Sequence, residues 1–228
     1  GGLFVAWCWK AGGAASSNSN GTITSLVSAS TDYGFSIVSY SGTGSAATIG
    51  HSLSTAPSLI LLKDRDATNS WQTFHVSVGN TKSFHLNASA GTDTHSSYWN
   101  NTSPTSSVFT VGSSATTNAS GRDFIAYCWS EVAGFSKFGS YTGNGSAGNQ
   151  IDVGFKPAFV MAKNTTSAND WIIVDSARTA SVGLWANSSG AESAQGSITA
   201  LTSNGFTLGA GGEANVSGKT YIYAAFAA

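Results

Sequence analysis

The sequence predicts an all-β protein of two tandem antiparallel β-sandwich, jelly-roll-like units, and three observations predict it. Runs rich in β-branched and aromatic residues alternate with turns rich in glycine and serine. No stretch sustains a capped 3.6-residue apolar period, so helix is expected to be minimal. The strand pattern also occurs twice, and the segment that closes a unit occurs three times.

The repeat sets the boundaries. Phe4-Val-Ala-Trp-Cys-Trp9 returns as Phe124-Ile-Ala-Tyr-Cys-Trp129 and, more weakly, as Tyr221-Ile-Tyr-Ala-Ala-Phe226. Ser39-Tyr-Ser-Gly-Thr-Gly-Ser-Ala46 matches Ser140-Tyr-Thr-Gly-Asn-Gly-Ser-Ala147 at an offset of 101 (140 − 39). Pro57, Lys63, Trp71 and Asn87 match Pro157, Lys163, Trp171 and Asn187 at an offset of 100 (157 − 57). Phe109-Thr110 and Ser120-Gly121 match Phe206-Thr207 and Ser217-Gly218 at an offset of 97 (206 − 109). Such a period means whole domains, because solenoid repeats run to about 20 to 50 residues. Residues 1–13 are therefore expected as the terminal strand of a preceding repeat and residues 14–33 as a linker with a possible strand. Residues 34–133 are expected as the first sandwich and 134–228 as the second. The orphan terminal strand implies a related β-domain upstream, or strand exchange between subunits.

Each element has its own signal. Phe35-Ser-Ile-Val-Ser-Tyr40 reads as a strand closed by Gly42-Thr-Gly44, whose glycines allow positive φ. Pro57-Ser-Leu-Ile-Leu-Leu-Lys63 and Pro157-Ala-Phe-Val-Met-Ala-Lys163 are apolar on both faces, as strands inside a sandwich are. Trp71-Gln-Thr-Phe-His75 and Trp171-Ile-Ile-Val-Asp175 follow after short polar turns at hairpin spacing. The Phe-x-Ala-x-Cys-Trp strand is apolar on both faces too. One face feeds a core; the other is expected to pack on the second sheet edge, a neighbouring unit or another chain, since a bare row of Trp7 and Trp9 would be an exposed patch.

Composition removes several function classes. Charged residues are 9% of the chain and the formal net charge is −1, against about 25% charged residues in an average soluble domain. Ten Lys and Arg scattered over 228 residues make no basic footprint, so no nucleic-acid partner is expected. No apolar run approaches the roughly 20 residues of a membrane span, so no membrane partner is expected either. Cys8 and Cys128 hold equivalent places 120 residues apart (128 − 8) and are expected as free, buried thiols, with assembly in a reducing compartment.

Catalytic signals are absent. There is no Gly-x-Ser-x-Gly, no His-Glu-x-x-His and no Cys-x-x-Cys. His75 and His85 of the first unit correspond to Asp175 and Trp185 of the second, and Asp64-Arg-Asp66 reads as a polar turn more readily than as a cation site. Nothing among the eleven acidic residues nominates a carboxylate pair for glycoside hydrolysis. No catalytic residue, metal ligand or cofactor is assigned, and a non-enzymatic role is expected. The Asn-x-Ser triplets at Asn87, Asn118, Asn187 and Asn215 are expected by chance in so Asn- and Ser-rich a chain.

Ala6-Trp-Cys-Trp-Lys-Ala-Gly-Gly13, Gly34-Phe-Ser-Ile-Val-Ser-Tyr-Ser-Gly-Thr-Gly44, Tyr98-Trp-Asn-Asn-Thr-Ser-Pro-Thr-Ser-Ser-Val-Phe109 and Glu131-Val-Ala-Gly-Phe-Ser-Lys-Phe-Gly-Ser-Tyr-Thr-Gly-Asn-Gly-Ser146 carry a resemblance. The chain resembles, over essentially its whole length, a repeat domain of virion and tail-fibre-like proteins from marine tailed phages that infect cyanobacteria and related planktonic hosts. The resemblance implies a virion part assembled in the bacterial host cytoplasm, with other virion proteins and its own copies as partners, trimers among the symmetries. It carries over no catalytic or ligand residue. A tail fibre or adhesin segment involved in host-surface attachment is the leading role, with a capsid-surface decoration protein and a secreted glycan-binding or glycan-active protein as the alternatives.

Recognition of a host surface glycan calls for aromatic faces among neutral hydrogen-bond donors. Residues 81–107, where the two units diverge most, offer His85, His95, Tyr98 and Trp99 among Asn, Ser and Thr. Variable loops on a rigid sandwich are where binding residues gather. These four are the ligand-binding candidates, against the plainer alternative that Trp99 caps the core beneath its loop.

Overall fold

Strands and turns follow one another through residues 4–228, the part of the chain that the computed structural model describes. The first half contains β1 (Ser16–Asn18), β2 (Ser25–Ser30), β3 (Phe35–Ser41), β4 (Ala47–Gly50), β5 (Leu59–Asp64), β6 (Gln72–His75), β7 (Lys82–His85) and β8 (Asp93–Thr94). A helical turn α1 (Ser96–Trp99), β9 (Val108–Val111), a second turn α2 (Ala115–Asn118) and β10 (Asp123–Trp129) complete it. The second half runs β11 (Ser136–Thr142), β12 (Asn149–Asp152), β13 (Phe159–Asn164), β14 (Ile172–Asp175) and β15 (Val182–Trp185). It ends with β16 (Ser193–Ala194), β17 (Ile198–Leu201), β18 (Gly205–Leu208) and β19 (Thr220–Phe226).

The fold is all-β, and the ladders between these strands are antiparallel. Unit 1 has a large sheet in the order β1-β2-β3-β10-β5-β6-β7-β8 facing the pair β4-β9; unit 2 has β11-β19-β13-β14-β15-β16 facing β12-β18-β17. From β3 onward the two large sheets have the same strand order, and they keep the same register. Phe124 lies between Tyr40 and Asp64, as Tyr221 lies between Tyr141 and Asn164.

Three cores result from strands that are apolar on both faces. On β10, Phe124, Ala126 and Cys128 enter the core of unit 1 with Val38, Ile49, Ile60 and Phe109. On β19, Tyr223 and Ala225 enter the core of unit 2 with Val160, Phe206 and Leu208. The alternate residues meet in a third core at the seam between the units. There Phe35, Leu59, Phe84 and Trp129 pack against Phe138, Phe159, Met161, Trp171, Ile222 and Phe226. The neighbouring unit is thus what covers the second face of these strands. Each large side chain fully removed from water there contributes about 1.5 to 3 kcal/mol.

The duplicated turns are held by duplicated hydrogen bonds. Asn118 is fully buried: its Oδ1 accepts from Thr43 N at 2.8 Å, and its Nδ2 donates to Ser45 O at 2.6 Å and Gly112 O at 2.9 Å. Asn215 repeats this with Asn144 N at 2.9 Å, Ser146 O at 2.9 Å and Gly209 O at 2.6 Å. Asn87 and Asn187 accept from the backbone N–H of Trp71 and Trp171 at 3.0 and 2.9 Å. The asparagines of these triplets therefore recur for a structural reason, each holding a backbone turn. Gly42 and Gly143 lie so close to the carbonyls of Ala119 and Val216 that a Cβ has no room.

Three expectations need correction. Residues 14–33, expected as a linker with a possible strand, are part of unit 1 and not a linker: β2 pairs with β3 from Leu26 opposite Ser39 to Ser30 opposite Phe35, and with β1 it widens the sheet. Residues 4–9 form no strand; residues 1–3 of that expectation fall outside the described residues. The segment instead lays its indoles across the seam. Trp7 meets Phe159 edge-on at 5.4 Å, and Trp9 meets Trp129, Phe159 and Phe226 at 5.6, 5.5 and 5.3 Å.

Cys8 is the third correction, being exposed where burial was expected, whereas Cys128 is buried. Burial pushes the Cys128 thiol up and keeps it protonated. Alkylation of the native chain is accordingly expected to modify Cys8 within minutes and Cys128 only after unfolding. Equal rates would contradict the two environments.

Candidate functional site

The sequence candidates lie where the units differ most. Unit 1 has α1 and a long loop before β9, while unit 2 has β17 at the corresponding place. His95 caps α1, its Nδ1 meeting Ser97 Oγ at 2.6 Å and accepting from Ser97 N at 3.4 Å. The turn ends at Asn100, whose left-handed φ of 52° suits an Asn.

Three of the four candidates come together. Tyr98 lies between His85 at the end of β7, 6.5 Å away and perpendicular, and His95, 5.1 Å away and tilted. The two-residue strand β8 places Asp93 beside them, and Tyr98 Oη donates to Asp93 Oδ2 at 3.0 Å. Burial first, then this carboxylate, pushes the Tyr98 hydroxyl up to about 12. The phenol therefore stays protonated and engaged, so what it offers a ligand is ring face. Gln72 Nε2 lies 3.4 Å from His85 Nδ1. His95 is exposed, while His85 and Tyr98 are half-buried.

Trp99, the fourth candidate, does not join them. It is 1% exposed, with its ring edge-on to Phe74 at 5.8 Å in the core of unit 1. Successive residues of a helical turn diverge by about 100°, so α1 sends Tyr98 outward and Trp99 inward. The plainer alternative holds for Trp99, which is no ligand platform. Asp93 is the residue that sequence reasoning missed; only the short β7–β8 pairing, Lys82 opposite Thr94 and Ser83 opposite Asp93, brings it alongside.

The Asp64-Arg65-Asp66 turn is internally satisfied. Asp64 accepts from Asp66 N at 2.9 Å, Asn69 Nδ2 at 2.8 Å and Arg122 at 3.0 Å, and Asp66 accepts from Asp123 N at 2.7 Å. Burial would raise the Asp64 carboxyl, but these hydrogen bonds and the Arg122 charge leave it below its ordinary value. Among the described residues no three His, Cys, Asp or Glu side chains gather as metal ligands do.

The model of a family described as Domain of unknown function (DUF7483) matches residues 1–228. The chain belongs to that family. No curated protein and no solved structure matches it. The DUF7483 match runs unbroken across residues 4–9, both units and the seam, so the Tyr98 cluster lies wholly inside the domain.

Proposed function

We propose that the chain is a structural, host-contacting segment of a tailed-phage virion, a tail-fibre or adhesin part whose outward surface at His85, His95 and Tyr98 receives a neutral glycan. The observation that carries this reading is a contrast between the units. They share strand order and register along their large sheets, yet part at residues 95–107, where unit 1 turns Tyr98 outward between two imidazoles. A sugar ring lays its C–H face on an aromatic face, and imidazole nitrogens and the Ser and Thr hydroxyls of the same loop satisfy its hydroxyls. The sparse charge favours a neutral ligand over an anionic one. The segments quoted above, similar to marine-phage repeat domains, support placing this surface on a virion, and the tandem units would serve as a rigid spacer behind it. The partners on this reading are other virion proteins and further copies of the chain. The proposed role needs no enzymatic step and no cofactor.

Tyr98→Ala is expected to lower adsorption of the purified chain to host cells by about tenfold per folded molecule, the loss of one aromatic hot spot. Trp99→Ala, by contrast, is expected to lower the melting temperature and to leave adsorption per folded molecule unchanged. Unaltered adsorption of Tyr98→Ala would remove this surface from recognition.

A further inference from the structure

The two units present the same face in different states. Unit 1 lays its β6–β7 edge over unit 2: His75 Nε2 donates to Tyr223 O at 3.1 Å, and Phe84 stands edge-on to Trp171 at 5.6 Å. In return the Trp171 indole donates to His85 O at 3.1 Å and Lys163 donates to Ser89 O at 2.8 Å. Under that edge Phe138, Met161, Trp171 and Ala224 are 4%, 7%, 1% and 2% exposed. Their counterparts in unit 1, by the offsets of 101, 100, 100 and 97, are Ile37, Leu61, Trp71 and Tyr127. All four are only half-buried, and they line an open apolar groove of about 430 Å³ together with Trp7 and Trp9.

The opposite edge tells the complementary story. Asp175 of unit 2 stands where His75 stands in unit 1, and it accepts from the indole of Trp7 at 3.2 Å. Trp7 corresponds to Ala224, next to the Tyr223 that His75 meets. The edge of unit 2 therefore meets residues 4–9 as the edge of unit 1 meets β19. Trp9, Trp129 and Phe226 also hold one position in three copies of the strand motif, and their rings touch one another. The separations are 5.6 Å for Trp9 to Trp129, 5.3 Å for Trp9 to Phe226 and 6.4 Å for Trp129 to Phe226. Equivalent side chains from three copies gathered at one point are what three units around a common axis produce. Head-to-tail contacts of this kind close into a ring when the rotation permits.

We propose that the groove is the docking face for a third unit of the same repeat, joined ahead of Phe4 so that residues 4–9 become its last strand. Unit 1 covers unit 2, unit 2 covers the third unit, and the third unit lays its β6–β7-type edge over Ile37, Leu61, Trp71 and Tyr127. The occupant is specified by the interface already present, since the seam between units 1 and 2 is the same contact one step on. In that arrangement Cys8 enters a unit core as Cys128 does.

The test extends the full chain. One variant carries a copy of residues 134–220 directly ahead of Phe4, and a second carries a copy of residues 34–123 there. Alkylation of Cys8 and hydroxyl-radical oxidation of Trp71 are measured in both and in the unextended chain. In the unextended chain Cys8 should react rapidly and Trp71 should oxidise faster than Trp171. In at least one extended chain Cys8 should slow by about 100-fold or more, to the level of a buried group, and Trp71 should become as protected as Trp171. The proposal is overturned if the extended chains fold with Cys8 and Trp71 still reactive, or if neither folds. It is overturned as well if the unextended chain self-associates and thereby protects Trp71, which would make a second copy the occupant.

Discussion

Trp171→Ala is expected to lower stability by about 3 to 5 kcal/mol and to do so for both units at once. The indole belongs to unit 2 by sequence, is 1% exposed, and rests on Phe84 and His85 O of unit 1. Truncation opens a cavity in the shared core and leaves the His85 carbonyl without its donor. In urea titrations, tryptophan fluorescence and far-ultraviolet circular dichroism should shift together to a lower midpoint. Trp71→Ala is expected to cost less, because that ring lines the open groove and has less contact to lose. A loss confined to one of two resolved transitions would contradict the shared core.

Acidification should weaken the same seam through His75. The ring is 2% exposed; Nε2 donates to Tyr223 O at 3.1 Å and Nδ1 accepts from Ser77 N at 3.2 Å, so neither nitrogen has room for a second proton. Burial brings its pKa from 6.5 to about 4. The unfolded chain therefore binds a proton that the folded chain refuses. The stability that neutral His75 supports is complete above pH 6.5, declines as pH falls through that value, and is lost by about pH 4. The loss reaches about 3 kcal/mol at about 1.4 kcal/mol per pKa unit. Unfolding free energies of the natural chain and of His75→Phe, measured between pH 7.5 and 4, isolate this effect. His51, whose pKa burial also lowers, is common to both proteins and cancels. The natural chain should lose stability more steeply, and parallel curves would contradict the assignment.

Much of the framework was legible because strand formation is local. The two-faced runs at 57–63 and 157–163 and the Phe124–Trp129 strand carry period-two patterns that fix which residues share a face, and the structure uses both faces as the pattern requires. Which face is covered, and by what, was not legible. Trp71 and Trp171 hold the same position at the start of equivalent hairpins, yet one lines a groove and the other is sealed, because only the second has an edge laid over it. Cys8 was misplaced for the same reason: its motif is that of Cys128, but residues 4–9 form no strand and Cys8 is exposed. β2 was legible only as a possible strand in a linker, because Ser-Leu-Val-Ser-Ala-Ser mixes polar and apolar residues too evenly to show that it joins the sheet of unit 1. At the candidate site sequence supplied His85, His95 and Tyr98 but could not separate Tyr98 from Trp99, since a single helical turn decides which of two adjacent aromatics points inward.

Differential scanning calorimetry of the unaltered chain bears most directly on whether two sequence repeats form one body through the seam. At about 0.7 kcal/mol per residue, 228 residues correspond to an unfolding enthalpy of about 160 kcal/mol. Units that share the core of Trp129, Phe159, Trp171 and Phe226 should melt in a single transition whose van't Hoff enthalpy equals the calorimetric one. Two resolved transitions, or a van't Hoff enthalpy of about half the calorimetric value, would show that the units unfold independently and contradict the shared core.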